Sequence, residues 1–289
     1  MEERVYPVFP LHKTIDITAL HTAFARQMAT ERTSRGEIHN FWEVLVVSGG
    51  EVSVATGQDI FTLGKQEMVI HKPMEFHRHF NPGTQPSNYG VISFDAPLML
   101  PVEAMTYPLA PELVQEFFAI IRLIRENTVT DKLSPLALRG RDISQEVKSR
   151  LELFLLQALS GDSRPHRNFS PEYKKITTFL AENVHAGLTL PEIAQQLHMS
   201  VSNVKLIFSR YSGMGVMKYY TSLKMQAAVS YLREGLSVKE VADRLSYSSQ
   251  SAFCTAFKNH TGLPPSQYSI SNRDLSLGIQ YTQYGKATD

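Results

Sequence analysis

A single cysteine, Cys254, stands among 289 residues. A lone thiol closes no internal bridge, which excludes the disulfide-stapled secreted folds. Long hydrophobic runs are missing too. No stretch approaches the ~18–20 apolar residues that cross a bilayer, so no membrane partner is expected. The amino end, MEERVYPVFPLHK, carries two early acids and lacks the apolar segment of a secretory signal. An excess of one charge sign is absent as well: 29 Lys and Arg meet 28 Asp and Glu. The chain is therefore neither a polybasic tail nor an acidic solvating segment. These absences together point to the cytoplasm.

What is present divides by charge and by period. Residues 170–289 hold 12 basic against 8 acidic side chains, and residues 1–169 hold 17 against 20. The carboxyl half thus carries +4, which permits an anionic partner without demanding one. At 289 residues the chain has room for two cores. Residues 37–95 alternate short Val/Ile/Phe-rich segments with turns, as in EVLVVSGGEVSVAT, and predict an antiparallel barrel or sandwich. From 111 the period changes to that of a helix. PELVQEFFAIIRLIREN and ISQEVKSRLELFLLQAL predict two amphipathic helices, which either pack on their own domain or pair two copies of the chain. GDSRPHRNFS reads as a linker, and 271–289 as a polar tail. The expected organisation is α+β: an antiparallel β-domain over 1–108, a helical linker over 109–169, an all-helical domain over 170–270, and the tail.

The helical domain repeats itself. LTLPEIAQQL (188–197) and LSVKEVADRL (236–245) match at an offset of 48, while Phe208/Phe257 and Gly213/Gly262 match at 49. Thr189 with Glu192, and Ser237 with Glu240, have the capping-box spacing that opens a helix. Ser200 and Ser248 are expected to cap a second helix in each copy. The pairs Val204/Phe208 and Phe253/Phe257 fall at i, i+4 and predict a buried face. A capped helix, a short break and a second capped helix make a helix-turn-helix, whose second helix lies in the DNA major groove.

The outer faces of those second helices carry the candidate DNA contacts. The first offers Ser202, Asn203, Lys205 and Leu206, and the second Ser249, Gln250, Ser251 and Thr255. Asn and Gln bond adenine edges in pairs, Lys suits guanine, and Leu206 or the Thr255 methyl suits a thymine methyl. Arg210 and Lys258 near the helix ends suit phosphates, as do Ser200 and Ser248 at the helix starts. The blander alternative is a pair of merely solvated faces, and the tandem repeat weighs against it. VMKYYTSLKMQAAVSYLREG (216–235) predicts one helix, about 28 Å long. It links the two units and suits sites one DNA turn apart, near 34 Å.

Residues 171–268 resemble the DNA-binding domain of the AraC/XylS family of bacterial transcription regulators. The residues that carry the likeness are LTLPEIAQQLHMS, K-M-Q-A-A-x-x-Y-L and SVKEVADRLSYSSQSAFCTAFKNHTGLPPSQY. Ser246 stands where the family usually has Gly, and Lys224 where it has Arg. Leu206 and Thr255 occupy positions that are Arg in several members.

The amino half resembles, more weakly, the cupin-like sensor domain such regulators often carry, through H-N-F-W-E, the SGG turn and PMEFH. Alternation sends His39, Phe41 and Glu43 to one face, and His77 lies downstream. These four are the candidate effector pocket. They include residue types of a cupin metal site, but Phe41 stands where the enzyme pattern has a second His, so no metal or other cofactor is assigned. The resemblance implies a ligand-responsive regulator and not an enzyme, acting as a homodimer on double-stranded DNA. Its effector would be a small molecule such as a sugar, and RNA polymerase a further partner. Two alternatives stay open: a cupin-type metalloenzyme fused to a DNA-binding module, and a regulator controlled by a protein partner alone.

Overall fold

The computed structural model describes residues 12–30, 34, 36–57, 59–99, 102, 105–131, 134–165 and 170–270. The expected tail at 271–289 lies outside them.

The amino half is built from strands β1 (Ala19–Met28), β2 (Trp42–Gly49), β3 (Val52–Thr56), β4 (Ile60–Leu63), β5 (Glu67–His71), β6 (His77–Phe80), β7 (Ser87–Asp95) and β8 (Met105–Pro108). Helix α1 (Pro111–Asn127), a hairpin of β9 (Thr128–Asp131) and β10 (Ser134–Leu138), helix α2 (Gly140–Leu159) and the short β11 (Arg164–Pro165) follow. The strands form a six-stranded sheet in the order β1-β7-β2-β5-β8-β11 and a three-stranded sheet in the order β4-β3-β6. Neighbouring strands within both sheets pair antiparallel. Among the described residues the ladders run within each sheet.

Period-two alternation decides what each face buries. Leu45 and Val47 of β2 meet Val52 and Val54 of β3, and Phe61 and Leu63 of β4, in a core between the sheets. The opposite side chains of β2, Val44 and Val46, pack with Phe117, Ile120, Leu151 and Phe154 of α1 and α2. The two helices thus cover the outer face of the larger sheet, the first of the two roles their pattern allows. Strand β1 was not expected. ALHTAFARQM mixes polar and small residues, its exposure pattern lacks a strict alternation, and pairing with β7 over nine registered positions fixes it. The hairpin β9–β10 and strand β11 likewise arise where only a break and a linker were expected.

The carboxyl half is all helix: α3 (Pro171–Glu182), α4 (Leu190–Gln196), α5 (Val201–Ser212), α6 (Val216–Arg233), α7 (Val238–Arg244), α8 (Gln250–Thr261) and α9 (Pro265–Ile270). The sequence pattern carries α3 on to Gly187, but the helix stops five residues earlier. There Asn183 turns its side chain back to the Phe179 oxygen, and the Tyr220 hydroxyl donates to the oxygens of Asn183 and Ala186. Both capping boxes are present. Val204, Phe208, Phe253 and Phe257 are fully buried. Helix α6 serves two cores: Tyr219 and Tyr220 pack in the first unit, and Met225, Ala228 and Leu232 in the second.

Candidate nucleic-acid interface and sensor site

The two recognition helices end alike and begin alike. Gly213 and Gly262 close α5 and α8 in the left-handed region, at φ of 65° and 80°. Ser200 caps α5 by accepting from the Asn203 N–H at 3.1 Å. In α8 the equivalent bond runs from the Ala252 N–H to Ser249, also at 3.1 Å. Ser249 and not Ser248 is therefore the cap. Ser249 has the extended backbone a cap requires, and Ser248 is the extra residue of the second copy, placed in the turn before the helix. This puts the change of offset between Tyr247 and Ser249. It pairs Leu206 with Thr255, Ser202 with Ser251, and Val201 with Gln250.

The turn itself explains a departure from the family. His198 and Ser246 both sit at φ 55°, the region where glycine costs least. The Ser246 hydroxyl, in addition, donates to the His185 oxygen at 2.5 Å. Lys224, in place of arginine, is buried and donates to the Leu245 oxygen at 2.8 Å, tying α6 to the end of α7. Burial pushes its pKa below the usual lysine value.

The predicted base-reading side chains share the exposed side of their helices. Ser202, Asn203, Lys205 and Leu206 are exposed on α5, and Leu206 is 67% exposed, unusual for a leucine on a well-packed domain. Gln250, Ser251 and Thr255 are exposed on α8, where the Thr255 hydroxyl is turned back to the Ser251 oxygen at 3.0 Å. That leaves its methyl facing out. Arg210 and Lys258 are exposed in the last turns. The capping oxygens of Ser200 and Ser249 are engaged with their own helices.

The first helical unit is docked on the smaller sheet. Alternation along β6 turns His77 and His79 inward and Arg78 outward. Arg78 donates to the oxygens of Arg210 and Tyr211 at the end of α5, and to that of Ser34. Ala55, Ile60 and Phe76 join the apolar core of the first unit, against Tyr173, Ile176 and Tyr219. The Tyr173 hydroxyl donates to the Thr56 oxygen at 3.0 Å, and the Tyr219 hydroxyl to the Gly57 oxygen at 2.6 Å. Burial raises the pKa of both tyrosines, so both stay neutral donors. Gln226 adds a bond from α6 to the Met74 oxygen. No local sequence signal marks Arg78 as an interdomain residue; only its alternation with two histidines hints at it.

Beside this junction lies a cavity of about 780 Å³. Lys72, Met74, Glu75 and Phe76 of the β-domain line one side, and Tyr219, Gln226, Ser230 and Arg233 of α6 the other. Glu75 is half-buried there; loss of solvent around its carboxyl raises its pKa, partly offset by the bond from the Lys72 N–H.

The four predicted pocket residues are brought together between the sheets, next to that cavity and not on its wall. His39 stacks on Phe41 with ring centres 3.9 Å apart. Glu43 lies 3.3 Å from His77 Nε2 and 3.6 Å from His39 Nε2. Two further histidines join them, which the sequence did not single out as a set. His71 lies opposite Glu43 in the β2–β5 ladder, and its Nε2 is 3.1 Å from that of His79. Burial pushes the Glu43 carboxyl up, but the bonds to His39 and His77 outweigh it and hold the group well below the usual range. Burial holds His71 well below its usual value and His79 at about 3. Both are therefore neutral rings. His77 is raised, because Glu43 outweighs its burial.

Comparison with known proteins matches residues 193–270 to a helix-turn-helix domain. Over 235 residues the chain is 26% identical to the uncharacterized HTH-type transcriptional regulator YidL of Escherichia coli, covering 79% of this chain and 75% of that one. It is 22% identical over 254 residues to the melibiose operon regulatory protein of the same organism, covering 80% and 82%. A 30% match over 109 residues to the regulator YtdP of Bacillus subtilis covers 36% of this chain and spans 14% of that regulator's length. Tandem capped helices and the matched domain together define a helix-turn-helix DNA-binding domain in the carboxyl half. Its helix-turn-helix domain is of the AraC type.

Proposed function

We propose that the protein regulates transcription in the cytoplasm by seating α5 and α8 in successive major grooves of double-stranded DNA, under control of a small molecule. The observation that carries this is the shared helix α6. It contributes to both apolar cores, so the two recognition helices are fixed to one rod of 18 residues, about 27 Å long. Lys205, Leu206, Gln250 and Thr255 meet bases, and Arg210 and Lys258 meet phosphates.

In this reading the effector sits in the cavity between the β-domain and α6, where any occupant touches both halves. A polar and apolar mixed wall suits a compact hydroxylated metabolite. The name of the melibiose operon relative makes sugars the first class to try. His39, Phe41, Glu43 and His77 form the support behind that wall, through the contiguous residues Glu75 and Phe76. A second copy of the chain belongs to the reading; Leu153, 55% exposed on α2, is an apolar side chain available to it. Contact with RNA polymerase is the further step by which such a regulator acts.

A footprint tests the DNA half. Two protected major-groove segments one turn apart are expected, and a protein that protects no sequence in a genomic-fragment selection sinks it. Thermal shift against a sugar panel tests the effector half. A rise in midpoint is expected for the wild type and its loss for Ser230→Trp, which fills the cavity mouth. A rise that survives Ser230→Trp unchanged places the effector elsewhere.

A further inference from the structure

With the caps matched, the two recognition helices correspond residue for residue. Each runs for 12 residues between a capping serine and a left-handed glycine, Ser200 to Gly213 for α5 and Ser249 to Gly262 for α8. Counted from the cap, the second residue is a serine in both, Ser202 and Ser251. The fourth and eighth are the buried anchors, Val204 and Phe208 in one and Phe253 and Phe257 in the other. The sixth is Leu206 in α5 and Thr255 in α8, exposed in both. Leu206 stands among the exposed polar Ser202, Lys205 and Ser209 and is the most exposed large apolar side chain of the described residues. The Thr255 hydroxyl is engaged by the Ser251 oxygen, so the group it offers a partner is its methyl. Both helices thus put an apolar group at the same step of an otherwise polar outer face.

We propose that Leu206 and Thr255 each pack on the 5-methyl group of a thymine, so that the DNA site carries a thymine at the equivalent step of both half-sites, about 10–10.5 base pairs apart. The assignment rests on the reading of α5 and α8 as DNA-contacting helices and adds the base that the two share. In the major groove the thymine methyl is the apolar group among the donors and acceptors of the base edges. A leucine gains by covering it and gains nothing against the bare acceptors of guanine. An arginine at the same step would instead favour guanine.

The remaining positions differ in kind, which gives the site a direction. Asn203 and Lys205 of α5 correspond to Ala252 and Cys254 of α8, and Val201 corresponds to Gln250. Contacts to adenine and guanine thus flank the thymine under α5, whereas α8 adds an adenine contact from its first residue. The half-sites share a thymine and diverge around it. One chain therefore takes up one orientation on its site, without help from a second copy.

The test starts from a sequence that the full-length protein selects from random duplex DNA. Each thymine is replaced in turn by uracil, which removes the methyl group and keeps the pairing, and affinity is measured at one salt concentration. The wild type should lose about fourfold, the worth of one buried methyl group, at two thymines one turn apart. Leu206→Ala should abolish the loss at one of them, and Thr255→Ser, which keeps the hydroxyl, at the other. Equal affinity for every uracil duplex overturns the proposal, and so does a pair of sensitive thymines that both variants still sense. The first arm alters only the DNA, so its outcome does not depend on a variant folding. A protein that selects no sequence overturns the DNA-binding reading and this assignment with it, whereas one that selects a site but treats uracil as thymine overturns the assignment alone.

Discussion

Arg78 Nη1 donates to the backbone oxygen of Arg210 at 2.9 Å, joining residues 132 positions apart across the two halves of the chain. The same nitrogen donates to the Tyr211 oxygen at 3.0 Å. A cation at the carboxyl end of α5 meets orphan carbonyls and the negative end of the helix dipole. Hydrogen bonds to charged groups contribute about 1.5–3 kcal/mol, so Arg78→Ala should weaken docking by roughly 2 kcal/mol. Amide exchange in the last turn of α5 should then rise while that in α8 stays unchanged. Equal exchange in both proteins would count against the clasp. Gly213→Ala is a companion, because an added Cβ at φ 65° lies 2.9 Å from Arg78 Nε.

Base-reading and phosphate-contacting residues should separate by experiment. Asn203→Ala and Gln250→Ala, each exposed on a recognition helix, should cost about 1–3 kcal/mol on the best site and relax preference at one position. Arg210→Ala and Lys258→Ala should weaken all sequences evenly and lower the salt slope by about one. The discriminating measurement is affinity for a substituted operator series at three salt concentrations. A uniform loss from Gln250→Ala would remove it from the base-reading set.

The helical half was legible because its signals are local. Capping boxes, buried i, i+4 pairs and terminal glycines each occupy one turn of chain, and the repeat displays them twice. The cap of α8 was misplaced by one residue because three serines, Ser248, Ser249 and Ser251, stand nearly together. Only the Ala252 N–H at 3.1 Å distinguishes Ser249. The β-half was legible where alternation is strict, as in β2, and illegible in β1, whose identity comes from pairing with β7 about seventy residues away. The gathering of His71 and His79 onto Glu43 follows from ladder register and sheet stacking, which no window of sequence contains. The interdomain cavity is of the same kind: its walls come from residues more than a hundred positions apart.

The reassigned cap gives a sharp contrast between neighbours. Ser249→Ala removes the acceptor of the Ala252 N–H and should cost about 1 kcal/mol. Ser248→Ala, in the exposed turn, should change stability by less than about 0.5 kcal/mol. Urea unfolding of the two variants, with unchanged slope, reads the difference. A larger loss from Ser248→Ala would restore the cap to that residue.

Acid should loosen both helix-turn-helix units through the same groups. Glu192 accepts from the N–H and hydroxyl of Thr189, each at 2.7 Å. Glu240 accepts from the Ser237 N–H at 2.8 Å. These bonds favour the charged carboxylates and hold both below the usual glutamate range. A depressed folded-state pKa means the contribution is complete above the unfolded value, about 4.3, and is lost as pH falls through the folded one. Both groups are fully exposed, so the effect is small and belongs to the capping bonds more than to burial. Glu192→Gln with Glu240→Gln should lower the thermal midpoint at neutral pH and flatten its fall between about pH 5 and pH 3 relative to wild type. If the two acid limbs superimpose, the carboxylates do not hold these helix starts.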